Sequence, residues 1–591
     1  MTVDAAPVAV PAAASPDGPG AGEETTSAAK AALMEAAMMR TAQEIFLDSM
    51  PEEYEMMVNA IYKVKLSFKF RIVRVSYGKG LTHIEYRVHI TSWVLIKSRR
   101  NQQKECEIKG QQPPGPMALP VIGHLHYLVG PALVKSLQNL ARQYGPLMLL
   151  RLGGAACYVV SDAKFAKEIL KTNELNFVSR PDIDTSVYNI YKGSAFITAP
   201  YDAYWRFMKK LCMTRLLSTT QLNQLSHIRE DETLKLLRLL ADASRNGESC
   251  DVKTVLMAMT NNVICRMAMS IDCSEDANEA REIKELVDQI SELGGKLSAG
   301  ILGPLAKLDI FGYGKQLGQK LGRFDQIVDR IIEEHEQKDI SGNGGEGRDL
   351  LDILLETSRD PNAEVKLTRT QIKAFFLDIV MAGTDTSSLA MQWSMAELIN
   401  HPEVFKKLRQ EIISVVGENR LVKESDVQNL PYLQAVVKET LRLYPTAPLF
   451  IRVCNEDCTI KGFRLKGKTR MLFNSYAINR DPASWTDPDE FIPERYIGGN
   501  SDMNFAQSQM EMRGQNFSYL PFGSGRRGCP GASLALTVMH ATLGALVQCF
   551  DWEFKDGDMV DMEEGKGFTM GMANPLMCYP ALHLDPSTLT P

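Results

Sequence analysis

Apolar residues recur at three- and four-residue spacing along most of the chain, the period of amphipathic helices. The pattern predicts helices over residues 163–171, 202–217, 221–243, 253–270, 276–293, 314–337, 368–400 and 403–416. Strand-like runs are few, at 147–152, 157–161 and 469–473. That ratio predicts a mainly helical body with small β-sheets. No stretch repeats itself at a period of roughly 20–50 residues, which excludes a solenoid. The Gly-rich stretch 341–347 reads as a surface linker.

The first 110 residues follow other rules. Residues 1–29 are rich in Ala, Pro and Gly, with Glu23 and Glu24 among them, and read as a disordered tail rather than a secretory signal. A Met-rich helical stretch (31–63), an alternating strand-like stretch (65–96) and a basic run (97–104) follow. The most apolar part, 90–96, is short and flanked by Arg87 and Lys97. A membrane span needs roughly 20 apolar residues, so no transmembrane anchor is read here. Residues 48–57 resemble a retrotransposon coat polyprotein, and two origins stay open: a chimeric gene and a genuine anchor-less extension. Pro113, Pro114 and Pro116 with Gly115 cannot be helix interior and read as a stiff hinge. The expected division is therefore an atypical, partly disordered extension (1–110) and a body (111–591).

Charge and cysteine content narrow the function. With 66 Lys and Arg against 72 Asp and Glu, the net charge is −6, and nothing points to nucleic acid. Eleven cysteines at irregular spacing, with no Cys-x-x-Cys pair, support neither a disulfide framework nor a structural zinc site. A reducing, cytosol-facing compartment fits them better.

One cysteine stands apart. Cys529 closes the run Pro521-Phe522-Gly523-Ser524-Gly525-Arg526-Arg527-Gly528-Cys529-Pro530-Gly531 and precedes an apolar helix over 532–547. The glycines let the backbone turn sharply and approach a flat ligand closely. A helix start beside the sulfur favours thiolate over thiol, and thiolate is the form that ligates iron. Upstream, Ala382-Gly383-Thr384-Asp385-Thr386-Ser387 lies inside the predicted 368–400 helix. Thr386 can bond back to the carbonyl of Ala382, loosening the helix there into a notch, with Gly383 leaving room beside it.

The Cys529 run resembles the haem-binding motif of the cytochrome P-450 family, Phe-x-x-Gly-x-Arg-x-Cys-x-Gly, at Phe522, Gly525, Arg527, Cys529 and Gly531. The resemblance covers residues 113 to about 582. It is nearest to plant enzymes of the flavone synthase II and isoflavone synthase group, through the 382–388, 442–448 and 561–564 stretches. It implies the P-450 fold, with a long central helix over a buried haem b, and an iron held by Cys529. Asp385 and Thr386 then steer protons onto bound dioxygen, in the notch beside Gly383. Trp205, Lys209 and Arg452 are expected to contact the haem propionates, and Phe522, Arg527 and Gly383 to bind the haem as well. Lys209 stands where the family usually has a second Arg, keeping charge but losing the bidentate fork. Glu439 and Arg442, with Arg495, are expected to form a buried triad.

The resemblance also implies electrons from NADPH through a flavoprotein reductase, and a small, mostly apolar substrate such as a flavanone or related phenolic. It places the chain on the cytosolic face of the endoplasmic reticulum, with peripheral membrane contact. Tyr444, Val453-Cys454-Asn455 and Leu465-Lys466-Gly467-Lys468 depart from the group's pattern, and are expected near a wall of the substrate pocket. A haem-thiolate isomerase or dehydratase, and a catalytically silent haem-binding protein, are the other readings.

Overall fold

The computed structural model describes residues 111–586 apart from 120–122, 129–132, 154, 182–190, 192, 272–277, 299–311, 341–347, 498–513, 555–558 and 566–568. The expectations for residues 1–110 and for the 341–347 linker lie outside the described residues. The helices are α1 (Leu133–Tyr144), α2 (Ala163–Lys167), α3 (Glu174–Phe177), α4 (Ala203–Leu211), α5 (Thr219–Gln224), α6 (Ser226–Asn246), α7 (Val252–Met269) and α8 (Asn278–Ser298). They continue with α9 (Tyr313–Ile340), α10 (Leu350–Arg359), α11 (Arg369–Asn400), α12 (Pro402–Val416), α13 (Pro431–Leu443), α14 (Ser475–Ile478) and α15 (Ala532–Cys549).

The sequence periods located most of these. Residues 163–171 fold as α2 continued by a π-turn, Glu168–Thr172, and 202–217 as α4 continued by another, Cys212–Leu216. The expected single helix over 221–243 is instead two, because Leu225 leaves helical geometry (φ −97°, ψ 14°) between α5 and α6. No Gly or Pro marks that break.

Strands are more numerous than expected. β1 (Leu147–Leu152), β2 (Ala155–Val160), β7 (Thr469–Asn474) and β4 (Leu449–Cys454) form one sheet, in the order β1-β2-β7-β4. β3 (Cys250–Asp251), β9 (Met577–Leu582) and β8 (Phe550–Phe554) form a second sheet, and β5 (Cys458–Ile460) pairs with β6 (Phe463–Leu465). In the first sheet β2 and β7 run parallel, and the other pairs are antiparallel. This sheet has a core of its own, built on Tyr158, Phe165, Phe177, Cys454 and Phe473.

The Pro-rich segment is not a free hinge. Pro113 and Pro116 are buried, and the Pro114 carbonyl accepts from Leu149 N–H at 2.8 Å on the β1 edge. A Cβ at Gly115 would lie 2.3 Å from the Leu149 carbonyl oxygen. The segment packs onto the body because a proline carbonyl can still cap a strand edge.

The central helix is α11. Thr368 caps it, accepting from Gln371 N–H while the Gln371 side chain accepts from Thr368 N–H. From Ser387 to Leu398 every residue is buried, the mark of a helix enclosed on all sides. It packs against α7, α13 and α15. Trp393 is fully buried and donates from Nε1 to the Met570 carbonyl at 2.8 Å; truncating it to alanine would cost about 3–5 kcal/mol. Among the described residues α15 is long and apolar enough to cross a membrane, yet 67% of it is buried within the body. It is a core helix.

Candidate active site

The Gly-rich loop before α15 folds back on itself. A 3-10 turn spans Gly525–Arg527, and Cys529 N–H donates to the Phe522 carbonyl at 3.0 Å. Gly525 has φ +68°, and a Cβ there would meet the Glu174 carboxylate at 2.4 Å. Glu174 on α3 uses that closeness to accept Arg526 N–H at 2.6 Å and to pair with the Arg526 guanidinium. Phe522 is half-buried and packs on the main helical core.

Cys529 sits two residues before Gly531, the N-cap of α15. Among the nine described free cysteines it is the exposed one. Protein nonetheless crowds it closely enough that burial pushes its thiol pKa up, against the amides of Gly531 and Ala532 and the Lys209 ammonium, which pull it down. Both facts describe a sulfur facing an internal cleft. The helix start favours thiolate as expected, but desolvation is the larger effect, so a metal cation at the sulfur is what would deprotonate it.

Around this loop lies a set of uncompensated cations. Arg452, within β4, is 2% exposed. Its Nη1 donates to the Ile451 carbonyl at 3.1 Å, and the Arg180 guanidinium donates to the same carbonyl at 3.0 Å. Arg527 donates to the carbonyls of Val178 (2.9 Å) and Ala199 (2.7 Å), with its guanidinium 4.1 Å from the Trp205 ring centroid. Lys209 donates to the Gly528 carbonyl at 2.7 Å. Among the described residues none of the four pairs with a carboxylate, and the Arg180 Nε has no partner. Burial lowers all four pKa values, those of Arg180 and Arg527 to about 10; the Arg180 charge lowers Arg527 further, and both lower Arg452.

Buried cations without anions are costly unless a ligand supplies the anion. Together with an accessible cysteine sulfur, they fit a metal-bearing group with carboxylate arms, which is what haem b is. Arg180 was not expected from the sequence; its one local signal is Pro181, which favours extended backbone for the residue before it.

Asp202 caps α4, accepting from Trp205 N–H at 2.8 Å, and so fixes where Trp205 points. The Trp205 ring stacks on Phe196 at 5.7 Å. On α11 the Thr386 hydroxyl donates to the Ala382 carbonyl at 2.6 Å. The helix is continuous there, so the expected loosening is absent. Ala382 is nevertheless exposed in mid-helix, so the small side chains themselves leave the notch.

Two of the expected site residues also have packing settings that the sequence did not suggest. A Cβ at Gly383 would lie 2.6 Å from Ile264 on α7, so Gly383 permits close packing of α7 against α11. Asp385 turns toward α7 and α8: burial raises its carboxyl pKa first and the Asp288 charge adds, while Lys253 and Lys284 oppose. Its Oδ1 is buried without a partner, and the Thr386 hydroxyl bonds along its own helix instead. The structure does not pair these two side chains.

The Glu439 triad forms as expected. Both Glu439 oxygens accept from Arg442 at 2.8 Å, and Oε1 also accepts from Arg495 Nε at 3.0 Å. The positions expected along a pocket wall are instead buried or tied into hairpins. Tyr444 stacks on Trp393 at 4.0 Å and donates to Glu397 at 2.7 Å. Cys454 and Leu465 are fully buried in the sheet core, and Lys466 N–H donates to the Tyr158 hydroxyl at 2.9 Å.

Residues 113–579 match the family model for cytochrome P450. The chain belongs to the cytochrome P450 family. It is 44% identical to 3,9-dihydroxypterocarpan 6A-monooxygenase of Glycine max, over 81% of this chain and 94% of that one. Identity is 41% to cytochrome P450 93B2 of Gerbera hybrida, over 79% and 91% of the two chains. Against beta-amyrin 24-hydroxylase of Glycine max it is 42%, over 84% and 96%. A zebra fish cytochrome P450 solved with progesterone superposes with TM-score 0.64 at 25% identity, over 76% of this chain and 99% of that one. The chain is thus a P450 monooxygenase, and family members hold haem through a cysteine thiolate.

Proposed function

We propose that this P450 oxidises a small, mostly apolar plant metabolite, a flavonoid or related phenolic, with Cys529 as the axial ligand of haem b. When bound, the haem supplies dioxygen activation, which thiolate donation assists. Electrons come from NADPH through a flavoprotein reductase at the cytosolic face of the endoplasmic reticulum, with peripheral membrane contact. The observation that carries the reading is the cluster of Arg452, Arg180, Arg527 and Lys209, without carboxylate partners among the described residues, beside an accessible Cys529. These cations would take the propionates, and Trp205 would hold Arg527 in place by its ring. Thr386 would hold and pass a proton at its hydroxyl, and Asp385 would exchange one with the Lys253 and Lys284 side.

The phenolic substrate class is supported by the relative named for a dihydroxypterocarpan, while the relative named for beta-amyrin marks the competing triterpene class. Carbon monoxide binding to the reduced protein should give a thiolate-type haem band, and Cys529→Ser should lose it. Retention of that band in a folded Cys529→Ser protein would overturn the ligand assignment. Turnover with reductase and NADPH on flavanones and pterocarpans, set against beta-amyrin, decides the substrate class. Product formed without NADPH would instead indicate an isomerase or dehydratase.

A further inference from the structure

Two partly or fully buried carboxylates lie along the middle of α11, and the mechanism uses only Asp385. The other, Asp378, is eight residues before Thr386, about 12 Å along the helix axis, and is 8% exposed. Its partners are backbone amides of an irregular loop. Ile197 N–H donates to Oδ2 at 3.1 Å, and Phe196 N–H is the second donor. Among the described residues the titratable groups that feel its charge are neutral, Tyr204 on α4, Cys212 in the following π-turn and Tyr191 at the start of the loop, and burial raises the pKa of each. Beyond Tyr191 lie Asp325 and Asp329 on α9, and the nearby Lys373 is engaged with both, at 3.5 and 3.0 Å.

The loop held this way reaches the site twice. The Phe196 ring stacks on Trp205 with planes 6° apart and meets Phe375 of α11 edge-on at 6.0 Å. Three residues on, the Ala199 carbonyl accepts from Arg527 at 2.7 Å. We propose that Asp378 is a positioning residue of the site: its carboxyl ties the 196–199 loop to the central helix, and the loop in turn sets Trp205 and Arg527. Only the last step, the effect on Trp205 and Arg527, rests on the haem reading; the tie itself does not.

The tie has a pH sign. Burial raises the Asp378 carboxyl from 3.8 to about 7 despite its two amide donors. Opening the loop admits water and returns the group toward its ordinary value, so the closed loop binds the proton more tightly. Closure is therefore strongest below 3.8, weakens roughly tenfold per pH unit up to about 7, and is flat above that.

Hydrogen exchange of the full-length, haem-loaded protein, read at peptides covering 194–199 and divided by the intrinsic rate at each pH, tests this. Protection should fall from pH 5.5 to 7 and then level off. Asp378→Asn, which keeps an acceptor but cannot ionise, should stay protected with no pH dependence. Asp378→Leu should lose protection at every pH while α15 stays protected. Flat wild-type protection, or an Asn variant that follows the wild-type pH curve, overturns the proposal. If Asp378→Leu fails to fold, those two series still decide. The visible haem spectrum tests the last step: it should change in Asp378→Leu and be restored in Asp378→Asn. A loosened loop with an unchanged spectrum overturns the positioning role. Wild-type protein without a haem band would instead defeat the haem reading and leave the exchange result standing.

Discussion

The Thr386 hydroxyl donates to the Ala382 carbonyl, one turn earlier on the same helix, at 2.6 Å. The helix stays intact around this bond, so the hydroxyl is a positioned group that the fold does not depend on. Thr386→Ala should leave stability within about 1 kcal/mol, since alanine suits helix interiors. Product formed per NADPH consumed should fall, and the productive rate should drop roughly ten- to a thousandfold, the range for losing one positioned proton donor. Thr386→Ser should recover most of it. Unchanged coupling in the Ala variant would remove Thr386 from the mechanism.

Glu439 holds two arginines in the core, with Arg442 and Glu439 both fully buried. The arginines spend their remaining N–H groups on backbone carbonyls, Arg442 on Asn479 and Glu490, Arg495 on Asp487. The triad therefore pins the 479–490 segment to α13. Glu439→Gln keeps the shape but leaves two buried cations with one neutral acceptor. Breaking a buried pair in this way costs about 3–5 kcal/mol. Thermal melts should show that loss, and a variant melting alongside the wild type would mean the charge is compensated elsewhere.

A second pairing ties α9 to α10 across the 341–347 connection. His335 Nε2 and Asp349 Oδ2 are 2.8 Å apart, and Asp349 also caps α10. Burial lowers the His335 pKa, but the Asp349 bond and charge outweigh it and the net shift is upward from 6.5. A histidine raised on folding contributes stability that is complete below 6.5 and is lost as pH rises through its folded value. Denaturant melts should thus show stability declining above pH 6.5, and His335→Leu should flatten that decline. Below it, the substitution should cost about 1.5–3 kcal/mol, the worth of a hydrogen bond to a charged group. Identical pH profiles for the two proteins would assign the decline to other groups.

Legibility followed range. The long helices were readable because their apolar periods are local, and the cysteine loop because its glycines and helix start are contiguous. Arg180 was not, since its meaning depends on sharing the Ile451 carbonyl with Arg452, 272 positions away in sequence. The packing role of Gly383 was hidden for a related reason: what its missing Cβ makes room for is Ile264, on another helix. Tyr444 was expected near the pocket wall because it departs from the pattern of the resembled group, yet Glu397 and Trp393 enclose it. The break at Leu225 left no residue-level signal. Strand β4 was missed because alternation is weak where a strand carries a buried arginine.

The division expected at residue 110 can be tested directly. A strand-forming extension would most readily join the four-stranded sheet at an open edge, and the body occupies those edges itself. On β1, Leu149 N–H goes to Pro114 and the Arg151 carbonyl accepts from His124 N–H; on β4, Val453 N–H goes to Ser179. Gln111 is already part of the body, its carbonyl accepting from Arg464 N–H at 3.0 Å. The large exposed apolar side chains among the described residues are scattered, with Met117, Leu175 and Met559 the most exposed. Single exposed apolar residues of that kind do not require a covering partner. A chain beginning at Gln111 should therefore bind haem and melt within a few degrees of the full chain, a shift worth about 1 kcal/mol or less. Spectral titration with haemin and a melting curve on both proteins check this. An insoluble or haem-free shortened chain would make residues 1–110 part of the fold.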